Sequence, residues 1–337
     1  MAKVLILGAS GQTGAALADL LWANGYSVFA ATRGGRPLPV LLHGKVEPVQ
    51  AEDRSLADIL AQTGPVDALF DPLIYTPEQA QTVLGSGHRY GRLITLSSAS
   101  LYADDAGRSL ETDDFPHFTA ALAEDQATVP PGPLNYSTRK AAMEQVLLNS
   151  PHPVSILRPC AIHGRYARHP REWWLIKRAL DGRGAIPVAY QGQSRFHTTS
   201  AAGIASLAAL CLERPGTHVL NVGDRQAHSI TEIAAILATQ LGRAIPLAPF
   251  PGPPLGHIGA SPWSVPLPFT LDCAAATALG WSAPAYADGV VDYVPWLVAT
   301  AARGDWRTAF AGFSDYGHDP FNYSAEDDYL TGLAGGS

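Results

Sequence analysis

Val4-Leu5-Ile6-Leu7-Gly8-Ala9-Ser10-Gly11-Gln12-Thr13-Gly14-Ala15-Ala16-Leu17 is the stretch on which the reading of this chain turns. An apolar run of strand length meets three glycines spaced by three, and a helical pattern opens directly behind them. Glycine meets two needs at such a place: a tight turn with unusual dihedrals, and close approach of backbone to a pyrophosphate. The exposed N–H groups and the positive end of the helix dipole then hold the anion. Glycine spacing alone is a weak signal in a chain with 32 glycines. The strand before it and the helix after it make it a dinucleotide loop. Gly8, Ser10, Gly11, Gln12, Thr13 and Gly14 are the expected phosphate-side residues.

Outward from this loop, apolar runs predict strands at 4–7, 27–31, 46–50, 68–70, 93–97 and 154–157. Helical patterns fall between them at 13–23, 56–63, 77–84 and 136–148. Alternating strands and helices imply parallel pairing through right-handed crossovers, hence a Rossmann-type, doubly wound α/β sheet. Segment 103–133 breaks the rhythm: it is acidic, rich in proline and too long for an ordinary connection, so it reads as a functional loop or as disorder. Segment 246–268 reads as an irregular proline-heavy arm, and the stretch after Arg303 as an acidic, aromatic tail. The expected division is a dinucleotide domain over 1–160 with 196–222 returning to it, a smaller substrate domain over 161–195 and 223–320, and a tail over 321–337.

A net charge of −7 disfavours non-specific binding to nucleic-acid phosphates. Cys160, Cys211 and Cys273 are odd in number and far apart, which fits a reduced, cytoplasmic setting and no metal site. Neither His163 nor His197 has metal-ligand spacing with another histidine. A small-molecule substrate is the expected partner, rather than nucleic acid or membrane, with a homodimer as the assembly to test.

The second predicted strand bears on the choice of dinucleotide. It ends Ala31-Thr32-Arg33-Gly34-Gly35-Arg36, with no acid to bond ribose hydroxyls and two arginines suited to a 2′-phosphate. NADP is therefore expected, with NAD as the alternative; solvated surface charge is the plain reading of both arginines. Asp53-Arg54 follows the third strand, where a carboxylate could bond the adenine amino group or cap a helix.

Tyr136 and Lys140 lie four apart on one predicted helix face. A tyrosine pKa of roughly 10 is too high for acid–base work near neutrality, and a neighbouring cation is expected to lower it. Ser97, Ser98 and Ser100 supply hydroxyls at the carboxyl end of the fifth strand, the edge where open α/β sheets bind ligands.

Taken together, these residues resemble the extended short-chain dehydrogenase/reductase family, also called the NAD-dependent epimerase/dehydratase family. The resemblance rests on the glycine loop, S-S-A-S-L-Y at 97–102, Y-S-T-R-K at 136–140, L-R-P-C-A-I-H-G at 157–164 and L-N-V-G-D at 220–224. It implies that Ser98 is the catalytic hydroxyl, Tyr136 the acid–base and Lys140 a ligand of the nicotinamide ribose. It further implies that Pro159 to Ile162 line the nicotinamide, and that Leu110-Glu111-Thr112-Asp113 belong to a substrate-side loop. Departures mark an atypical branch: Phe70-Asp71-Pro72-Leu73-Ile74-Tyr75 stands where the family shows H-x-A-A, and Tyr102 is followed by Ala103 instead of glycine.

At the substrate end, Arg165, Arg168, Arg171, Lys177, Arg178 and Arg183 cluster, either to hold a diphosphate or carboxylate or as a solvated helix face. Of Trp173 and Trp174, one is expected in the core and the other at a pocket. The leading expectation is an NADP-dependent oxidoreductase acting on a carbonyl or alcohol. An NAD-dependent sugar-nucleotide epimerase or dehydratase is second, and a non-catalytic NADP-sensing or RNA-binding relative third.

Overall fold

The protein is described from a computed structural model covering residues 1–32, 36–51 and 54–335. The chain divides into two units, 1–162 with 199–224 and 271–284, and 163–198 with 225–270 and 285–337.

The first unit is built on seven parallel strands: β1 Lys3–Leu7, β2 Ser27–Thr32, β3 Glu47–Gln50, β4 Ala68–Asp71, β5 Leu93–Leu96, β6 Val154–Pro159 and β7 His218–Val222. Their order across the sheet is β7-β6-β5-β4-β1-β2-β3. Val4, Leu5 and Ile6 pair on one side with Val28, Phe29 and Ala30 and on the other with Ala68, Leu69 and Phe70. Every residue of β4, β5 and β6 is buried, which is why these strands read as continuous apolar runs instead of alternating ones. Strand order reverses between β1 and β4, and that switch point opens a crevice at the carboxyl ends.

The helices α1 Gln12–Ala23, α2 Leu56–Thr63, α3 Pro77–Gly85 and α4 Tyr136–Leu148 follow the predicted pattern. Capping boxes start three of them, Ser55 with Asp58, Thr76 with Gln79 and Asn135 with Thr138. α1 is the exception. It starts at Gly11 with no side-chain cap and no acid in its first turn.

Residues 271–284, which the sequence alone places in the substrate domain, pack in the first unit. The cause is a set of bonds that no local pattern reveals: Asn221 Nδ2 donates to Asp272 O at 3.0 Å, Arg214 Nε to Leu279 O at 3.2 Å, and Trp281 Nε1 to Ser206 Oγ at 2.9 Å. The second unit has its own core, with Trp173, Trp174, Ile233, Leu237, Tyr293 and Phe310 among its buried members. Its arm is pinned, since Leu247–Pro249 pairs in parallel with Ile186–Val188 and Trp263 is buried. The expected tail ends in a helix, Ser324–Gly335, that seats Glu326 in the interior. Among the described residues no helix is long and apolar enough to cross a membrane.

Candidate active site

The glycine loop is as tight as its composition requires. Gly8 has φ +70°, and Gly11 N–H donates to Gly8 O at 2.9 Å. A Cβ on Gly14 would stand 2.5 Å from Gly8 O and 2.9 Å from Gly8 C, so only glycine lets the helix start close on the strand end. The uncapped N–H groups of α1 face the crevice end of β1, and the site fits a dinucleotide pyrophosphate on that ground. Ser10, Gln12 and Thr13 are half-buried around it, and the Gln12 Nε2 donor is buried without a hydrogen-bond partner. Beside the loop lies a cavity of about 220 Å³ whose lining includes Gly8, Ala31, Arg54, Asp71, Leu73 and Gln79. Asp71 starts a turn there, its Oδ1 accepting from Leu73 N–H at 2.9 Å. Arg36 is exposed at the surface, while Arg33 and Asp53 lie outside the described residues.

Tyr136 is the first residue of α4, and Asn135 fixes it there by accepting from Thr138 N–H. Taken as a whole residue, Tyr136 is 38 % exposed. Lys140, one turn on, is 1 % exposed and donates to Ile74 O at 2.6 Å and Leu96 O at 2.7 Å. Its Nζ stands 5.9 Å from the Tyr136 ring centroid. Ser98 follows β5, accepts from Ser100 N–H at 3.1 Å and is the neighbour that favours the ionised Tyr136 phenol. Thus the structure brings Ser98, Tyr136 and Lys140 together at the carboxyl edge. Pro159 ends β6 at that same edge, and Ile162 follows it, half-buried.

One expectation is corrected here. Burial, then the charges of Tyr75 and Glu111, push the Tyr136 phenol up to about 12, against the lowering inferred from the neighbouring cation; only the Ser98 hydroxyl works the other way. The ammonium's hydrogen bonds go to two carbonyls instead of the phenol oxygen. Burial also brings Lys140 down to about 8, with Glu144 and Asp71 opposing.

Segment 103–133 is laced to the first unit. Tyr102 bridges Thr128 and Leu122 bridges Leu271. Asp104 accepts from the N–H groups of Ala106, Arg108 and His117. Glu111 reaches the start of α4, where Oε1 accepts from Ser137 N–H at 3.1 Å and Ser137 Oγ at 3.0 Å. Beneath the segment lies a buried polar network. Arg158 pairs with Glu144 at 2.6 Å and donates to Tyr102 OH at 3.1 Å, while Tyr102 OH donates to Asn221 Oδ1 at 2.6 Å.

In the second unit four of the six basic residues pair with acids, while Arg168 is exposed and Arg171 half-buried. Arg178 is buried against Glu326 at 2.7 Å, Arg183 pairs with Asp327, Lys177 with Asp181 at 2.8 Å, and Arg165 with Asp292 at 3.5 Å. A buried cation requires such partners, and here the C-terminal helix supplies two of them. Trp173 and Trp174 are both core, because helix Trp173–Leu180 is buried on nearly every side. Trp174 also lines a cavity within this unit. His163 and His197 are buried, and among the described residues no group of three potential ligands could hold a metal.

No family model matches the sequence, and no curated protein matches it. Solved structures match its fold. MoeE5, in complex with UDP-glucuronic acid and NAD, is 21% identical over 88% of this chain and 99% of that one, with a TM-score of 0.65. A UDP-glucose 4-epimerase from Stenotrophomonas maltophila with bound NAD is 19% identical over 90% and 100%, TM-score 0.68. A dTDP-glucose 4,6-dehydratase from Bacillus anthracis in complex with NAD is 15% identical over 92% and 100%, TM-score 0.68. This chain therefore shares its fold with these three NAD-bound proteins, an epimerase and a dehydratase among them.

Proposed function

We propose that this chain is a nicotinamide-dependent oxidoreductase of the short-chain dehydrogenase type. The observation that carries the reading is the meeting of Ser98, Tyr136 and Lys140 at the sheet edge that also bears the Gly8–Gly14 cradle. A nicotinamide dinucleotide bound to that cradle supplies the hydride donor or acceptor. Tyr136 gives its proton to, or takes one from, the substrate oxygen, and Ser98 orients that oxygen. The Lys140 charge steadies the phenolate that Tyr136 becomes after proton donation.

Two forms of the reaction are open to this machinery. Net reduction of a carbonyl with NADPH is supported by Arg33 and Arg36 and by the missing acid after β2. Sugar-nucleotide epimerisation or dehydration with retained NAD is supported by the likeness to an NAD-bound epimerase, an NAD-bound dehydratase and a protein holding UDP-glucuronic acid with NAD. That likeness weights the second form more than sequence alone does. Releasing and identifying the nucleotide that accompanies the purified protein separates them. Stoichiometric NAD fits the second form; an empty protein that binds NADPH more tightly than NADH, with the difference lost in Arg33→Ala, fits the first. A protein that takes up neither dinucleotide refutes both.

A further inference from the structure

Lys140 has a neighbour that the motif does not include. An ammonium has three N–H donors, and two of these go to Ile74 O and Leu96 O. Over Nζ lies the ring of Tyr75, its centroid 4.5 Å away, nearer than that of Tyr136 and inside the roughly 6 Å reach of a cation–π contact. Tyr75 belongs to the turn after β4, where the sequence departs from the pattern it resembles. Its backbone N–H donates to Gln79 Oε1 at 2.7 Å, the same oxygen that completes the capping box of α3. The ring's position is thus tied to a helix start. A half-exposed ring covers a buried ammonium. The other groups facing Lys140 are the Glu144 and Asp71 carboxylates and the Tyr136 phenol.

We infer that Tyr75 is a positioning residue, whose ring joins two backbone carbonyls in a cage that fixes the Lys140 charge beside Tyr136. The inference rests on Tyr136 and Lys140 being the reactive pair, and it concerns the aromatic face, not the hydroxyl. Keeping the apolar cover while removing the π face therefore leaves the ammonium less stabilised.

The test is an NMR titration of the full chain carrying 13C-labelled lysine. Only four lysines are present, and Lys140→Arg assigns the signal. Tyr75→Phe is expected to titrate like the wild type. Tyr75→Leu is expected to titrate lower by roughly 0.4–1.5 pH units, the range of a cation–π contact converted to pKa. Tyr75→Trp, with the strongest π face, is expected at or above the wild-type value. Wild-type titration of the leucine variant overturns the inference, as does a phenylalanine variant that falls as far as leucine. If Tyr75→Leu does not fold, a tryptophan variant titrating below the wild type overturns it alone. No dinucleotide enters this titration, so failure of the cofactor reading and failure of the cage are distinguishable.

Discussion

Replacing Gly14 with alanine is the sharpest test of the phosphate cradle. The new Cβ would meet Gly8 O at 2.5 Å, Gly8 C at 2.9 Å and Ala9 Cα at 3.0 Å, where ordinary contact begins at 3.4 Å. All three neighbours are backbone, so no side-chain rotation relieves the overlap, and the start of α1 must draw back from the end of β1. Overpacking of this kind costs about 1–3 kcal/mol, and at roughly 2–4 °C per kcal/mol the Tm should fall by roughly 2–12 °C. Dinucleotide affinity should suffer more than stability. The same displacement moves the N–H groups that hold the pyrophosphate, and a loss of about 1.4 kcal/mol there is already tenfold in Kd. Differential scanning fluorimetry gives the first quantity and quenching of intrinsic fluorescence on titration the second. Gly11→Ala should be milder, since its Cβ meets only Gly8 O at 3.2 Å. Gly85→Ala, at the end of α3 with nothing within 4 Å, is the control. A Gly14→Ala protein as stable as that control and with unchanged dinucleotide affinity would refute the cradle.

Tyr136→Phe should nearly abolish turnover while dinucleotide Kd stays within about twofold, because the phenol moves the proton and the phosphate contacts lie elsewhere; retained turnover assigns the acid–base role to another group. Lys140 carries its charge below about 8 and loses it above, whereas the Tyr136 phenol stays protonated to about 12. Carbonyl reduction should therefore decline as pH rises through 8, and Lys140→Arg should move that decline to higher pH. A wild-type rate flat to pH 10 excludes the role given to Lys140. Arg158→Met leaves the Glu144 carboxylate buried without its partner, and chemical denaturation should show a loss of about 3–5 kcal/mol.

Local chemistry was legible in the sequence, and long-range pairing was not. The strand, glycine loop and helix from Lys3 to Ala23 follow from residues adjacent in sequence, and so does the Tyr136–Lys140 spacing on α4. The anchors of 103–133 could not be read that way, because Tyr102 meets Asn221 and Leu122 meets Leu271 across more than a hundred residues. The partners of Arg178 and Arg183 are hidden for the same reason, since Glu326 and Asp327 lie far along the chain. The direction of the Tyr136 shift depends on burial and on where the ammonium's hydrogen bonds go, and neither follows from a four-residue spacing. Tyr75 was legible only as part of a departure from the family pattern, since nothing in sequence relates it to Lys140.

The return of 271–284 to the first unit constrains how the protein can be made. β7 is complete at Val222, yet the Asn221 side chain donates to Asp272 O, and Asp272 N–H donates to Leu122 O at 2.8 Å. A nascent chain that has cleared the ribosome only through β7 therefore holds a finished set of strands with an unfinished edge. Those buried groups wait until the intervening arm has been synthesised, an interval of several seconds at roughly 5–20 residues per second. Meanwhile the unit cannot close as an autonomous N-terminal domain. A fragment ending at Asp224 inherits that open edge permanently, and should be recovered as an aggregate where the full chain is recovered folded.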